Sequence, residues 1–249
     1  VIGDDRLYVW EPSPPSWTAD DRENGYGAAV SALSYNDNIV TVRVTAGRRT
    51  DEAPIIRPAL EYLTIQNFVR TVAAGGTAQL VTKRDPGTDQ WMISGSIPVG
   101  SAPITLELPV SDPARYAAAA LYDALTRRGV AVRVRPLARH RNAGEPFVVP
   151  EGREVASRVS PPLRQLVETM LKVSQNLHAE LLLREAGRIT EGDASNDSGL
   201  RALGNFLKEH RATEQEWRAE DGSGLARNDL VTPRLILRVL EDEYKARSE

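Results

Sequence analysis

The sequence contains no cysteine and only three histidines. Without cysteine there is no disulfide, no thiolate nucleophile and no cysteine-bound zinc, although the compartment stays open because exported proteins often lack disulfides. His140 lies in a basic run, and His178 and His210 fall on separate predicted helices with no second histidine at ligand spacing. A metal site is therefore not expected, and nothing in the sequence asks for a cofactor. No Gly-x-Ser-x-Gly elbow is present, Asp221-Gly222-Ser223-Gly224 being a different pattern, so a Ser-His-Asp triad would have to take its histidine arbitrarily. No apolar run approaches the length needed to cross a bilayer. Charge of one sign is also lacking: 31 basic and 34 acidic residues leave a net charge of −3. Being scattered, they make no field that would draw in a polyanion, and nucleic acid is not an expected partner. Val1-Ile2-Gly3-Asp4-Asp5 offers neither an initiating methionine nor the basic and apolar regions of a signal peptide. The expectation is that processing or truncation has removed the true beginning.

What is there suffices for one to three compact units: 249 residues, 41% of them hydrophobic. Residues 1 to about 45 read as short strands (Leu7–Trp10, Ala28–Leu33, Ile39–Val44) around a Pro- and Trp-rich loop. From Ala46 to about Ile104 the pattern stays strand-like, with the turn-forming Asp85-Pro86-Gly87-Thr88-Asp89 between Ala78–Thr82 and Gln90–Ser94. Apolar spacing predicts a helix over Arg115–Arg128, closed by Gly129 and followed by an alternating strand, Val130–Val134. Beyond Pro150 the periodicity is helical: Pro162–Lys172, Asn176–Ala186, Gly199–His210 and Pro233–Tyr244. No internal repeat or low-complexity segment interrupts this order.

Few residues draw attention by chemistry alone. The arginines of Arg133–Arg141 read as a solvated strand face. Asp20-Asp21 with Glu23 could hold a cation or an amine, but their spacing is equally that of a polar surface loop. Ser174-Gln175-Asn176 stands apart because a short polar break between two amphipathic helices can present a hydroxyl and a carboxamide side by side. Ser174 as a simple N-cap of the second helix is the competing reading.

Several segments, taken together and in order, resemble the low-molecular-mass class C penicillin-binding proteins, the D-Ala-D-Ala carboxypeptidase and endopeptidase family. They are Pro14-Pro15-Ser16-Trp17 with Asp20-Asp21 and Tyr26-Gly27, then Val30–Asn38, Thr71–Gly76 and Ser94–Pro98. Lys172-Val173-Ser174-Gln175-Asn176 follows with Ala179-Glu180, and Asp221-Gly222-Ser223-Gly224-Leu225 with Asn228 and Leu230 completes the set. Each is common alone; the set covers nearly the whole chain. The resemblance implies a serine-type D-Ala-D-Ala carboxypeptidase or endopeptidase that trims peptidoglycan stem peptides outside the cytoplasmic membrane, in the periplasm or its equivalent. It implies β-lactams as inhibitors and no cofactor.

That family works with three motifs, Ser-x-x-Lys, Ser-x-Asn and Lys-Thr-Gly. By resemblance Ser174 would pass a proton toward the leaving amine and Asn176 would hold a peptide carbonyl, with Gln175 where an aspartate often stands. Trp17, Asp21 and Tyr26 match a loop that receives the free end of the stem-peptide diamino acid, a carboxylate for the ammonium and aromatics over the spacer. No serine here has a lysine three residues on, and no lysine precedes Thr-Gly or Ser-Gly. Since the first and third motifs of the family lie outside the matching segments, the chain is expected to be an internal fragment, inactive as given. A non-catalytic protein that binds peptidoglycan or a partner on the same scaffold is the alternative; a β-lactamase would lack the long β insertion before Ser174.

The implied fold is α+β and multidomain: β-rich inserted domains, then the helical part of a β-lactamase/transpeptidase-like domain. Residues 1–45 would begin the inserted β domain, 46–104 form a small β domain nested in it, and 105–150 return. Residues 151–249 would carry Ser174-Gln175-Asn176. With the central sheet's strands outside the chain, the helical part should expose its sheet-facing apolar surface.

Overall fold

A computed structural model describes residues 1–149 and 151–246. The boundary placed at Pro150 and the end of the 151–249 segment fall outside the described residues. The chain divides into two units. The first holds Val1–Asp4, Ala19–Ala29 and Leu33–Ala138; the second holds Asp5–Thr18, Val30–Ala32 and Arg139 onward. The first 45 residues are thus shared between them. The α+β class is the one observed.

In the first unit, β1 (Ile2–Asp4) and the four-residue α1 (Ala19–Arg22) precede β2 (Ile39–Thr45). β2 owes its place to strict alternation: Val40, Val42 and Val44 are buried while Arg43 is exposed. β3 (Ile55–Pro58) pairs antiparallel along one edge of β2. A second sheet follows from β4 (Thr64–Val72), β5 (Gln79–Arg84) and β6 (Gln90–Pro98), with β6 central, parallel to β4 and antiparallel to β5. The Asp85–Asp89 turn joins β5 to β6 as its Pro-Gly composition predicts. β7 (Ile104–Pro109) closes the other edge of β2, setting Leu108 opposite Val40 and Leu106 opposite Val42. The core gathers Val40, Val42, Val44, Trp91, Ile93, Ile97, Leu108 and Tyr116. Each such buried side chain contributes on the order of 1.5–3 kcal/mol. Tyr116 comes from α2 (Pro113–Arg127), which Asp112 caps by accepting the Arg115 N–H at 2.9 Å, with Pro113 in the first turn. β8 (Leu137–Arg139) pairs with β1.

The second unit is mainly helical: α3 (Leu163–Val173), α4 (Asn176–Glu191), α5 (Asn196–Glu209) and α6 (Pro233–Ala246). Between α5 and α6 lies a two-residue ladder, β9 (Trp217–Arg218) with β10 (Leu230–Val231). α4 and α5 touch through glycines: a Cβ on Gly187 would stand 2.5 Å from the Gly199 nitrogen. The early segment of this unit is tied down by Glu11. Its Oε2 accepts from Arg184 Nη1 and from the Asn196 N–H, both at 2.8 Å, and its backbone carbonyl accepts from Arg184 Nη2. Arg184 is 1% exposed, and a guanidinium that deep is stable only with such partners.

All five helices read from the sequence are present, but three expected strands are not. Leu7–Trp10 sends single bonds to different places, Val9 N–H to the Ala194 carbonyl and Trp10 N–H to the Arg141 carbonyl. Val30, in the Ala28–Leu33 stretch, donates to Pro12 in the same irregular way. Val130–Val134 alternates without a ladder, and its first N–H closes the end of α2 on Leu125. An alternating pattern needs a partner edge to become a strand, and these three lack one. α3 buries none of its residues and α6 only Leu235. Leu171, Leu237, Leu240 and Tyr244 are among the exposed apolar side chains. Among the described residues no helix is long and apolar enough to cross a membrane.

Candidate active site

The break between α3 and α4 is sharper than a loop. α3 ends on Ser174, whose φ of 57° and ψ of 51° put it in the left-handed region. A non-glycine residue there is disfavoured by roughly 1 kcal/mol, a cost found most often where function needs a side chain aimed one way. Ser174 is therefore not the N-cap of α4. Gln175 takes that position, its side-chain oxygen accepting the Leu177 N–H at 3.3 Å. The residue at the middle of Ser-x-Asn thus stabilises the helix start and leaves Ser174 exposed and Asn176 half-buried in the first turn.

Ser174, Gln175 and Asn176 line one shallow cleft of about 210 Å³ together with Met170, Leu171, Ala179, Gly222 and Ser223. The Asp221–Gly224 loop thus forms the opposite wall. It is held by two buried carboxylates. Glu180 Oε1 accepts the N–H groups of Gly222 and Ser223, both at 2.9 Å. Asp221 turns back on its own loop: Oδ1 accepts from Gly224 at 2.7 Å and Ser223 at 3.1 Å, and Oδ2 accepts the Ala226 N–H at 2.7 Å. Trp17 adds its indole N–H to Oδ2 at 2.8 Å.

These environments push the carboxyls apart. Burial raises Glu180 to about 7, against the pull of the Ser223 and Gly222 hydrogen bonds. Burial also works against ionised Asp221, but the bonds from Trp17, Asp229, Ala226 and Gly224 outweigh it and hold the carboxyl below its ordinary value. Its neighbour Asp229 is raised to about 6 by burial and by Asp221. Asp221 is thus the anion around which the loop folds, while Glu180 straddles its two protonation states near neutrality.

Of the five residues singled out by the sequence, Ser174 and Asn176 come together in the cleft. Trp17 reaches it indirectly, 2% exposed and bonded to Asp221. Asp21 and Tyr26 belong to the first unit; Asp21 is buried in α1, whereas Tyr26 is exposed. Glu180, Gly222 and Ser223 were legible only as parts of a pattern. The available signal was the placement of Glu180 four residues after Asn176, which puts both on one helix face. A hollow of about 650 Å³ beside α2 is lined by Tyr62, Arg115 and Arg135 among others and by none of those five residues.

A left-handed serine, a helix-start asparagine and a carboxylate-held Asp-Gly-Ser-Gly loop share one cleft. The chain belongs to the D-Ala-D-Ala carboxypeptidase 3 (S13) family, which it matches over residues 1–249. It is 29% identical over 247 residues to a D-alanyl-D-alanine carboxypeptidase of Actinomadura sp. (strain R39), covering 96% of this chain and 45% of that protein. Identity to the D-alanyl-D-alanine carboxypeptidase DacB of Haemophilus influenzae is 24% over 237 residues, covering 94% and 47%. The solved penicillin-binding protein 4 of Haemophilus influenzae superposes with a TM-score of 0.78 at 22% identity, over 99% of this chain and 54% of that one. The same protein has been solved with a β-lactam bound, at a TM-score of 0.71. The chain spans about half the length of the curated relatives it matches.

Proposed function

We propose that the protein to which this chain belongs is a serine-type D-Ala-D-Ala carboxypeptidase that trims peptidoglycan stem peptides outside the cytoplasmic membrane, in the periplasm or its equivalent, with endopeptidase cleavage as a second capacity. The observation that carries this reading is the strained Ser174 held beside Asn176 in a cleft. It sits in a chain of the S13 family whose relatives bear that activity in their names.

In this reading a serine from another part of the protein attacks the carbonyl of the penultimate D-Ala, and its proton passes to the lysine of its own motif. The bond to the terminal D-Ala nitrogen breaks, and the leaving amine takes a proton through the Ser174 hydroxyl. Asn176 holds a substrate carbonyl through its amide, and water then hydrolyses the ester. Both side chains act without net charge, which suits hydrogen-bond relay beside a forming oxyanion. Tyr26 and Asp21 are assigned to the diamino-acid end of the stem peptide, and Trp17 to supporting the cleft through Asp221. β-Lactams would be trapped as stable acyl-enzymes by the same nucleophile. The β-rich region nested within 1–150 is assigned as an insertion ahead of the Ser-x-Asn motif. The uncovered faces of α3 and α6 are where the rest of a transpeptidase-like domain would pack.

Intact-mass analysis after incubation with benzylpenicillin tests this, run on the full product of the native gene and on this chain in parallel. One adduct on the full protein and none on the chain is the expected result. No adduct on either would favour a non-catalytic wall-binding protein, and an adduct on the chain alone would place the nucleophile among its own serines.

A further inference from the structure

Glu180 takes no part in the scheme above, yet it is completely buried directly behind the cleft. One of its oxygens accepts two consecutive loop N–H groups; the other is buried with no hydrogen-bond partner. A carboxylate left in that state is expensive, so its position calls for a return. The return is geometric. Asn176 and Glu180 stand one turn apart on α4, so the helix that presents the carboxamide to the cleft also fixes the opposite wall. Gly222 completes the fit: a Cβ there would stand 2.9 Å from the Leu183 Cβ and 3.0 Å from the Ala179 carbonyl oxygen. Only glycine lets the loop come this close to α4, which brings Ser223 to the cleft rim. Asp221 holds the far side of the loop through Gly224 and Ala226, so the loop is clamped from both ends.

We propose that Glu180 is a positioning residue that sets Ser223 as a further polar residue lining the cleft, alongside Ser174 and Asn176. Glu180 acts as a hydrogen-bond acceptor, not as a charge: Oε1 serves the two N–H groups equally with or without a proton on Oε2. This assignment rests on the acyl-transfer reading above. It adds a residue of the Asp221–Gly224 loop to the Ser174 hydroxyl and the Asn176 carboxamide from the α3–α4 break.

The test uses the full-length protein, benzylpenicillin as probe, and stopped-flow acylation with thermal melting on the same samples. E180A should acylate more slowly by at least about tenfold, mainly in the chemical step, because a wall displaced by an ångström costs orientation more than affinity. E180Q keeps an acceptor at Oε1 and should return to within about threefold of wild type, although its buried amide lowers the melting temperature. A rate for E180A equal to wild type overturns the proposal, as does E180Q reacting as slowly as E180A. Should E180A not fold, S223A decides: slower acylation at an unchanged melting temperature is expected, and wild-type acylation overturns the assignment. Failure of the wild-type protein itself to form an adduct would instead overturn the acyl-transfer reading, so the two failures are distinguishable.

Discussion

Glu180 is the residue at which burial, hydrogen bonding and pH meet. Its folded-state value of about 7 lies above its ordinary 4.5, so the folded chain holds the proton more tightly than the unfolded chain. The neutral form's advantage is complete below about pH 4.5 and is lost as pH rises through about 7, at most about 3 kcal/mol for this one group. Asp229 shifts in the same direction, and Asp221, held low, stays ionised across the window. Urea denaturation of this chain between pH 5.5 and 8 should therefore show stability falling with pH. The E180Q chain should show a distinctly shallower fall, and the difference between the two cancels Asp229 and every other group. Parallel curves would mean that Glu180 is ionised throughout. Nothing in the sequence announced this behaviour: Ala179-Glu180 could be read as part of a pattern, but its burial depends on a loop 42 residues away.

At the scale of elements, two positions set backbone conformation against side-chain chemistry. Ser174 occupies a left-handed conformation that glycine adopts freely. S174G should stabilise this chain by a few tenths to about 1 kcal/mol by chemical denaturation, while in the full-length protein it should abolish most turnover of a D-Ala-D-Ala peptide. Stability gained where activity is lost is the signature of strain kept for function. Gly187 poses the opposite problem. Helix propensity alone says that G187A should stabilise α4 by about 1 kcal/mol, but the added Cβ would meet the α5 backbone at 2.5 Å. Overpacking of that kind costs about 1–3 kcal/mol, so a net loss of stability is expected; a gain would show that α4 and α5 separate easily. These elements also show which patterns carried information. Helical periodicity is local, and each of the five helices lies within a few residues of its expected span. Strand alternation requires a distant partner: Ile39–Val44 found β3 and β7, whereas Val130–Val134 found none. Ser174-Gln175-Asn176 was legible as a polar break. That Gln175, not Ser174, caps α4 depends on backbone angles that composition does not fix.

At the scale of the whole molecule, the helices that carry the cleft also leave apolar surface open. Leu237, Leu240 and Tyr244 lie on α6, 60%, 60% and 77% exposed, and Leu171 on α3 is 72% exposed. Contiguous apolar faces on helices are rarely left in water, since each large side chain buried is favourable by about 1.5–3 kcal/mol. Two copies of this chain can cover such faces by association, so sedimentation velocity at tens of micromolar should show dimers or larger species that dissociate on dilution. The double variant L237E/L240E places charge in the middle of the α6 face and should shift the population to monomer, with little loss of fold because neither leucine is buried. A monomeric wild-type chain would mean that these faces tolerate water. Association undiminished in the double variant would move the contact elsewhere, away from the surface on which a transpeptidase sheet is proposed to pack.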